Sequence, residues 1–422
     1  MNIHANPTLT AAEKALVSAY EERFSTFPGD PAVVTSRDNA IEQLKAGLPT
    51  RRVESWHYTD LRRLLTKVPS FDATDSAKSV ETLLSGSSVF AALCGVAADG
   101  APSVEGVTVE RLADLLQAGD ERAILTPAAS DDAIGAINAA FATDGYVLAI
   151  ADGAEIEAPV ELQNIQAGGQ VHARFAVRAG AGSKATIVER QTGEGAALVS
   201  SVSSLELGEG AEILWVIVQD HAETATHLGQ FNAKLAKDAK LSLFVMNAGG
   251  KLVRQDIVVD AEGENSDFRL RGINLLGGET HCDVTMKLGH LAPHTVSTEL
   301  VRNVVTDRAH AVFQGQIRVA QIAQKTDAKM ACNTLLLSDE AEVSTKPELE
   351  IFADDVACGH GATVTEIDRD HLFYLMARGV EEKLARGLLI KAFLAEVVEE
   401  LENEELIDRL EEKLDDWFAR HA

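Results

Sequence analysis

The residues best suited to chemistry are a thiol and an imidazole two positions apart, Cys358 and His360, flanked by Gly359 and Gly361. They follow a strand-like run at 346–356. On a strand, residues i and i+2 point to the same side, so both donors can face one ligand or one partner. Two donors are too few for a metal site, since structural sites usually have four ligands. The pair predicts a site completed from elsewhere; a buried thiol beside a hydrogen-bonded imidazole is the alternative.

The other cysteines of the chain are scattered. Cys94, Cys282 and Cys332 are far apart, and no two cysteines form a Cys-x-x-Cys motif. This arrangement does not suit a disulfide framework, nor an iron–sulfur centre bound by four closely spaced thiolates of one chain. We therefore expect these three thiols to be small buried hydrophobic residues.

A second group of potential ligands consists of His281, His290 and His294. The last two are four residues apart, but Pro293 lies between them and excludes the shared helix face of a His-x3-His zinc pair. We expect these imidazoles to make structural hydrogen bonds.

Composition excludes several classes of function. The 422 residues include 65 acidic and 38 basic ones, a net charge of −27 that repels nucleic-acid phosphates. No run approaches the ~18 apolar residues that a membrane span needs, and the first residues lack the features of a signal peptide. The Gly-rich segment at 180–186 lacks the spacing of a phosphate-binding loop. We expect a cytoplasmic protein with neither a nucleic-acid nor a membrane partner.

The chain divides into three regions. Residues 1–145 are predicted to be helical or mixed, 146–365 to form short strands separated by Gly, Asp and Asn, and 366–422 to be helical. Within the middle region, turn-and-strand units recur every 28 residues, taking the following positions as equivalent: Ser183, Ala211 and Ala239. Weaker echoes of the unit occur at 262–264, 307–309 and 338–341. A β-sandwich also fits short strands, but a fixed period favours a stacked β-solenoid.

The C-terminal region carries an apolar stripe at helical spacing, with acidic residues opposite. Its members in the two predicted helices are Leu389, Phe393, Val397, Leu406, Leu410 and Trp417. Such a stripe can cover the open end of a solenoid or bind a partner. The pattern by itself favours the covering role.

Several motifs in the same order resemble the SufB/SufD family of iron–sulfur cluster assembly proteins. They include 313–317, 323–327, 335–338, 347–351, 353–356, 358–363, 372–375 and 378–379, with weaker matches at 56–59, 138–141 and 144–145. The sequence around Cys358 and His360 is similar to the SufD branch. Leu375 stands where the SufB branch typically has a cysteine, which supports that assignment, and Cys332 is an unusual additional thiol.

The resemblance implies a mainly β fold, with a right-handed parallel β-helix flanked by N-terminal and C-terminal α-helical segments. It implies a non-catalytic scaffold that pairs with a SufB-like subunit and binds a SufC-type ABC ATPase. The six stripe residues would then form the ATPase-binding surface. No cofactor would be tightly bound; a transient iron–sulfur cluster would form at the subunit interface, with His360 and Cys358 as its ligands from this chain. The isolated chain could also form a homodimer.

Two other functions remain compatible with the residues. One is a carbohydrate-active enzyme on a β-helix, which would need carboxylates placed along a groove. The other is a structural homodimer without a metal role. Activity on sugars would identify the first, and metal analysis of the chain and its complex would separate the second from a scaffold.

Overall fold

A two-sheet parallel β-solenoid forms the centre of the molecule, with helices before and after it. The computed structural model describes residues 8–72, 76–120, 122, 127, 129 and 131–421. The start of the predicted N-terminal region, residues 1–7, lies outside the described residues. The solenoid has about eight turns, so the mainly β class and the parallel β-helix between helical ends are confirmed.

The helices flank the solenoid in sequence. Those before its main part are α1 (Ala11–Arg23), α2 (Pro31–Lys45), α3 (Leu61–Leu64), α4 (Leu112–Ala118) and α5 (Ala133–Phe141). Those after it are α6 (Arg369–Ala377), α7 (Glu382–Glu399) and α8 (Glu404–His421). Helix α1 begins with a capping box, in which Thr10 Oγ1 accepts a hydrogen bond from the Glu13 backbone.

Successive strands alternate between the two sheets. Sheet A contains β1 (Ser88–Leu93), β2 (Val96–Ala97), β5 (Glu155–Gln166), β7 (Lys184–Gly193), β9 (Glu212–Gln219), β11 (Lys240–Asn247), β13 (Asp267–Leu276), β15 (Val296–Val305), β17 (Asp327–Leu336) and β19 (Ala357–Glu366). Sheet B contains β3 (Val107–Arg111), β4 (Asp144–Ile150), β6 (Gly169–Ala179), β8 (Ala197–Leu207), β10 (Thr226–Leu235), β12 (Leu252–Ala261), β14 (His281–His290), β16 (His310–Val319) and β18 (Glu342–Ile351). The pairing is parallel except at β1–β2 and β3–β4.

The 28-residue period corresponds to one turn of the solenoid. Ala185 of β7 pairs with Ile213 of β9, which pairs with Leu241 of β11. Just before these strands, Ser183, Ala211 and Ala239 are buried in one column of turns. The echoes at 307–309 and 338–341 lie in turns that follow sheet A strands, on the opposite side, so only the echo at 262–264 continues the column. Strand β1, in the region expected to be helical or mixed, extends sheet A by pairing with β5.

A ladder of amide side chains runs along the solenoid. Its members occupy equivalent positions on successive sheet A strands: Asn164, Gln191, Gln219, Asn247, Asn274 and Asn303. Asn247 Nδ2 donates to Asn274 Oδ1 at 2.8 Å, and Asn274 Nδ2 donates to Asn303 Oδ1 at 2.7 Å. Because buried amides without partners are costly, the ladder fixes the register of these turns.

The N-terminal helices pack on the outer face of sheet B. Trp56 and the side chain of Arg254 on β12 are stacked, with the guanidinium carbon 4.0 Å from the ring centroid. Arg254 also donates to Asp283 on β14 at 2.6 Å. Both charged side chains are buried, and their pairing compensates for the loss of water. The contact attaches the N-terminal region to the solenoid wall.

The C-terminal helices α7 and α8 pack on the outer face of sheet A. Their apolar side chains join one buried cluster with outward-facing residues of this sheet, including Val216, Phe244 and Ile273. Lys413 Nζ bonds to Asp220 at 2.6 Å at the edge of the cluster. The expectation that these helices cover the open end of the solenoid is therefore wrong: they cover its side, where the strands present an apolar surface.

Candidate functional site

Cys358 and His360 lie on β19, the last strand of sheet A. Their register partners on β17 are Ala328 and Met330, both buried in the solenoid core. Both donors therefore face the inside of the last turn, as the two-residue spacing predicts. The Cys358 side chain is half-buried against the core, whereas His360 is exposed. The pair lies where the solenoid interior opens at the last turn, which we call the mouth of the solenoid.

The C-terminal end of the solenoid is open. In the described residues, β18 pairs only with β16 and β19 only with β17. We call the outer edges of β18 and β19 the open end. Backbone groups along such an edge are free to pair with another chain. Added Cβ atoms at Gly359 and Gly361 would meet nothing within 4 Å, so the backbone beside the two donors is also accessible.

Burial sets the protonation of the cysteines. It raises the pKa of the half-buried Cys358 thiol, and nearby Asp327 and Glu299 raise this pKa further. Cys332 lies inside the solenoid, 3.4 Å from Asn303 Nδ2, and burial raises its pKa to about 12. Burial also raises the pKa of Cys282. Cys282 and Cys332 are thus enclosed protonated thiols, as expected, while Cys94 is only half-buried.

The structure separates the second group of potential ligands. His281, on the outer face of sheet B, lies 2.8 Å from Thr59 Oγ1. His290 is in the interior, where its Nδ1 lies 2.8 Å from Thr295 Oγ1, and His294 occupies a turn with φ 59°. These imidazoles belong to three different environments. Across the described part of the chain, no three His, Cys, Asp or Glu side chains converge as a metal site.

The predicted partner-binding stripe faces the solenoid. Val397, Leu406, Leu410 and Trp417 are buried in the cluster against sheet A, and the remaining two, Leu389 and Phe393, are partly buried. Arg302 of β15 lies over the Phe393 ring, with the guanidinium carbon 4.6 Å from its centroid. A partner could not touch the four buried side chains without detaching the helices. The prediction that they form a docking surface is therefore revised: they hold α7 and α8 to the β-sheet.

A different apolar surface is open to solvent on α6 and the first half of α7. Its members are Phe373, Tyr374, Met376, Leu384 and Leu388. Phe373 is 73% exposed and Leu384 58% exposed. Grouped exposed apolar side chains of this size are typical of interaction sites. Phe373 and Tyr374 belong to the 372–375 motif of the family resemblance, whose residue types alone do not indicate a binding role.

Comparison with known proteins agrees with this geometry. Residues 162–393, more than half of the chain, match the family model described as SUF system FeS cluster assembly, SufBD core domain. The chain belongs to the SufBD family. The matched region of this SufBD protein begins in β5, ends in α7 and includes both donors on β19.

Relatives from bacteria and plants support the assignment. The chain is 30% identical over 371 residues to the iron–sulfur cluster assembly protein SufD of Escherichia coli, covering 86% of this chain and 88% of that protein. It is 34% identical over 211 residues to a SufBD family protein of Synechocystis, covering 50% and 46% of the two chains. It is 29% identical over 293 residues to the chloroplastic protein ABCI7 of Arabidopsis thaliana, covering 66% and 62%. The resemblance to the SufD branch is confirmed.

None of the helices in the described residues has the length and apolar character needed to cross a bilayer.

Proposed function

We propose that this SufBD protein is a non-catalytic scaffold for iron–sulfur cluster assembly. Its open end pairs with a SufB-like subunit, and a nascent cluster forms where the two solenoids meet. The observation that carries the proposal is the position of Cys358 and His360 on an unpaired terminal strand. The cluster is cargo, built on the complex and passed on.

The open end supports pairing with another β-solenoid. Most strands of sheets A and B have two neighbours, but β18 and β19 each have one. The edge also presents exposed apolar side chains at Ile351, Phe352 and Val364. A partner that continued both sheets would satisfy the free backbone groups and bury these side chains.

The number of ligands supports a partner that contributes thiolates. Iron–sulfur clusters are usually held by four cysteine thiolates, or by cysteines with imidazole replacing some of them. The end of this chain offers one thiol and one imidazole, and its other buried cysteines are enclosed. We assign His360 to the partner-facing position because its side chain is exposed, whereas Cys358 is half-buried against the core.

We place the docking site for a SufC-type ATPase on the exposed surface of α6 and α7. Aromatic side chains are frequent anchors of protein interfaces, and Phe373 and Tyr374 are solvent-exposed here. The helices that carry them are fixed to the solenoid through α7 and α8. Movement of the ATPase could thus be transmitted to the β core through this rigid attachment.

Co-expression tests the composition of the complex. We expect the full-length chain to co-purify with a SufB-like subunit and a SufC-type ATPase as one species on size-exclusion chromatography. Iron and sulfide should be found in that species after anaerobic reconstitution. A chain that is recovered only as a homodimer, without metal in any fraction, would contradict the scaffold role and support the structural alternative.

A further inference from the structure

Two buried imidazoles lie close together inside the solenoid, away from the donors on β19. His221 lies in the turn between β9 and β10, and His227 is the second residue of β10. Their ring centroids are 5.1 Å apart. Both side chains are buried, and His227 shares the inward-facing side of β10 with Phe231 and Ala233 of the solenoid core. The pair therefore lies in the interior, beneath a single turn.

Three of the four ring nitrogens have no hydrogen-bond partner among the described residues. These are Nδ1 and Nε2 of His221 and Nδ1 of His227, whereas Nε2 of His227 lies 3.0 Å from Ser201 Oγ. His290, another imidazole of the same interior, has hydroxyl oxygens at 2.8 Å from Nδ1 and 3.2 Å from Nε2. Because buried polar atoms are normally paired, the unpartnered nitrogens of His221 and His227 indicate a ligand.

The amide ladder is interrupted at the same turn. Asn247 donates to Asn274, but Gln219 Nε2 donates to the carbonyl oxygen of Gly249 at 3.2 Å rather than to Asn247, its neighbour in the register. In the described part of the chain, Oε1 of Gln219 and Oδ1 of Asn247 accept no hydrogen bond. Gln219 precedes His221 by two residues. Unpartnered amide oxygens therefore accompany the unpartnered imidazole nitrogens.

Burial keeps both imidazoles neutral. It lowers the pKa of His221 to about 4, opposed by a smaller effect of Asp220, and it lowers the pKa of His227 well below the usual range. A neutral imidazole has one N–H and one lone pair. When Nε2–H of His227 donates to Ser201 Oγ, the lone pair is on the unpartnered Nδ1. Each ring thus offers a lone pair without first losing a proton.

We propose that His221 and His227 form a two-imidazole binding site for the monovalent copper ion Cu⁺. Imidazole is a ligand for copper, whereas structural Zn²⁺ sites usually have four ligands. Among the described residues, no three His, Cys, Asp or Glu side chains converge as a metal site. The adjacent Asp220 is bound to Lys413 Nζ at 2.6 Å, so it is not free to compensate the second charge of a divalent cation.

The copper site is separate from the open end. In sheet B, β12, β14 and β16 lie between β10 and the terminal strand β18. The surface nearest to the pair is the turn that carries His221, where Glu223 and Thr224 are exposed. Cu⁺ binding therefore requires neither a partner subunit nor an iron–sulfur cluster, and it can be measured on the chain alone.

Competition for Cu⁺ with bicinchoninate, a chelator whose Cu⁺ complex is coloured, tests the site under anaerobic conditions. The full-length chain carries Cys94→Ser and Cys358→Ser, because both thiols are only half-buried and would bind Cu⁺ themselves. We expect this chain to withdraw one equivalent of Cu⁺, and to bind it at least tenfold more weakly after His221→Gln or His227→Gln. His290→Gln is the matched control, a buried imidazole with partners at both nitrogens, and should leave Cu⁺ binding unchanged.

X-ray absorption of the copper-loaded chain identifies the ligands even if a histidine variant fails to fold, which thermal unfolding would show. We expect nitrogen neighbours with the outer-shell scattering of imidazole, and no sulfur neighbour. Sulfur at the metal would assign Cu⁺ to the enclosed thiols of Cys282 and Cys332 and overturn the proposal. Failure to compete for Cu⁺, or unchanged affinity in both folded histidine variants, would also overturn it and leave the unpartnered nitrogens to internal water.

Discussion

Replacement of His360 by alanine is expected to abolish most cluster formation while the complex stays intact. The imidazole is exposed at the mouth of the solenoid, so its replacement should change the stability of the fold little. Loss of residues that merely orient metal ligands typically costs about 10–100-fold in affinity or activity, so loss of a ligand should cost at least about tenfold. The measurement is iron and sulfide content with visible absorbance after anaerobic reconstitution of the purified complex.

Two further variants are needed to interpret the result for His360→Ala. His57→Ala removes another exposed imidazole, from the N-terminal region, and should leave cluster yield unchanged. Cys358→Ala should reduce the yield less than His360→Ala, because the thiol is half-buried against the core. Size-exclusion chromatography checks that each variant keeps its partners. Normal cluster content in an intact His360→Ala complex would show that the imidazole is not a ligand of the cluster.

Truncation after Ile367 is expected to produce insoluble protein. Without α7 and α8, the outer face of sheet A would expose side chains that are now buried, among them Val216, Phe244 and Ile273. Each large apolar side chain returned to water costs about 1.5–3 kcal/mol, and a contiguous apolar sheet face promotes aggregation. Soluble expression and circular dichroism measure the effect. A truncated chain that is soluble and keeps its β structure would show that the helices are dispensable for the fold.

Substitutions of exposed side chains on α6 and α7 can test ATPase docking without disturbing the fold. Phe373→Ser combined with Leu384→Ser removes two exposed side chains, so the thermal midpoint should change little. Loss of an aromatic anchor typically costs about 2 kcal/mol of binding free energy, so ATPase affinity should fall strongly. Ile322→Ser is the matched control, since Ile322 is equally exposed but lies in the turn after β16. Unchanged affinity in the double variant would move the docking site elsewhere.

The solenoid was predictable because small residues recur at a fixed spacing along its first turns. Ser183, Ala211 and Ala239 must be small where consecutive turns stack, and the spacing is regular over those three units. Further along, paired residues are separated by 27, 29, 31 and then 30 positions, as in Leu241, Phe268, Ser297, Ala328 and Cys358. Turns that precede sheet A strands and turns that follow them carry similar residues. The echoes at 307–309 and 338–341 therefore resemble the repeat unit although they lie on the opposite side of the solenoid.

The position of the C-terminal helices could not be predicted in the same way. Amphipathic spacing shows that Leu406, Leu410 and Trp417 share a face, but not which surface they cover. The apolar outer face of sheet A exists only after strands that are far apart in sequence have assembled, so the helix sequence cannot reveal it. The burial of Glu299 on β15 could not be predicted either, because its alternation with Ser297 and Val301 is a signal too short to distinguish a buried carboxylate from an exposed one.

Hydrogen–deuterium exchange on β18 and β19 tests the central claim most directly. Both strands have an unpaired edge in the free chain, whereas β13 is paired on both sides and serves as an internal reference. If the open end continues into a SufB-like subunit, backbone amides of Glu342–Ile351 and Ala357–Glu366 should exchange at least about tenfold more slowly in the complex, with β13 unchanged. Equal exchange at both strands in the free chain and in a stable complex would contradict the account.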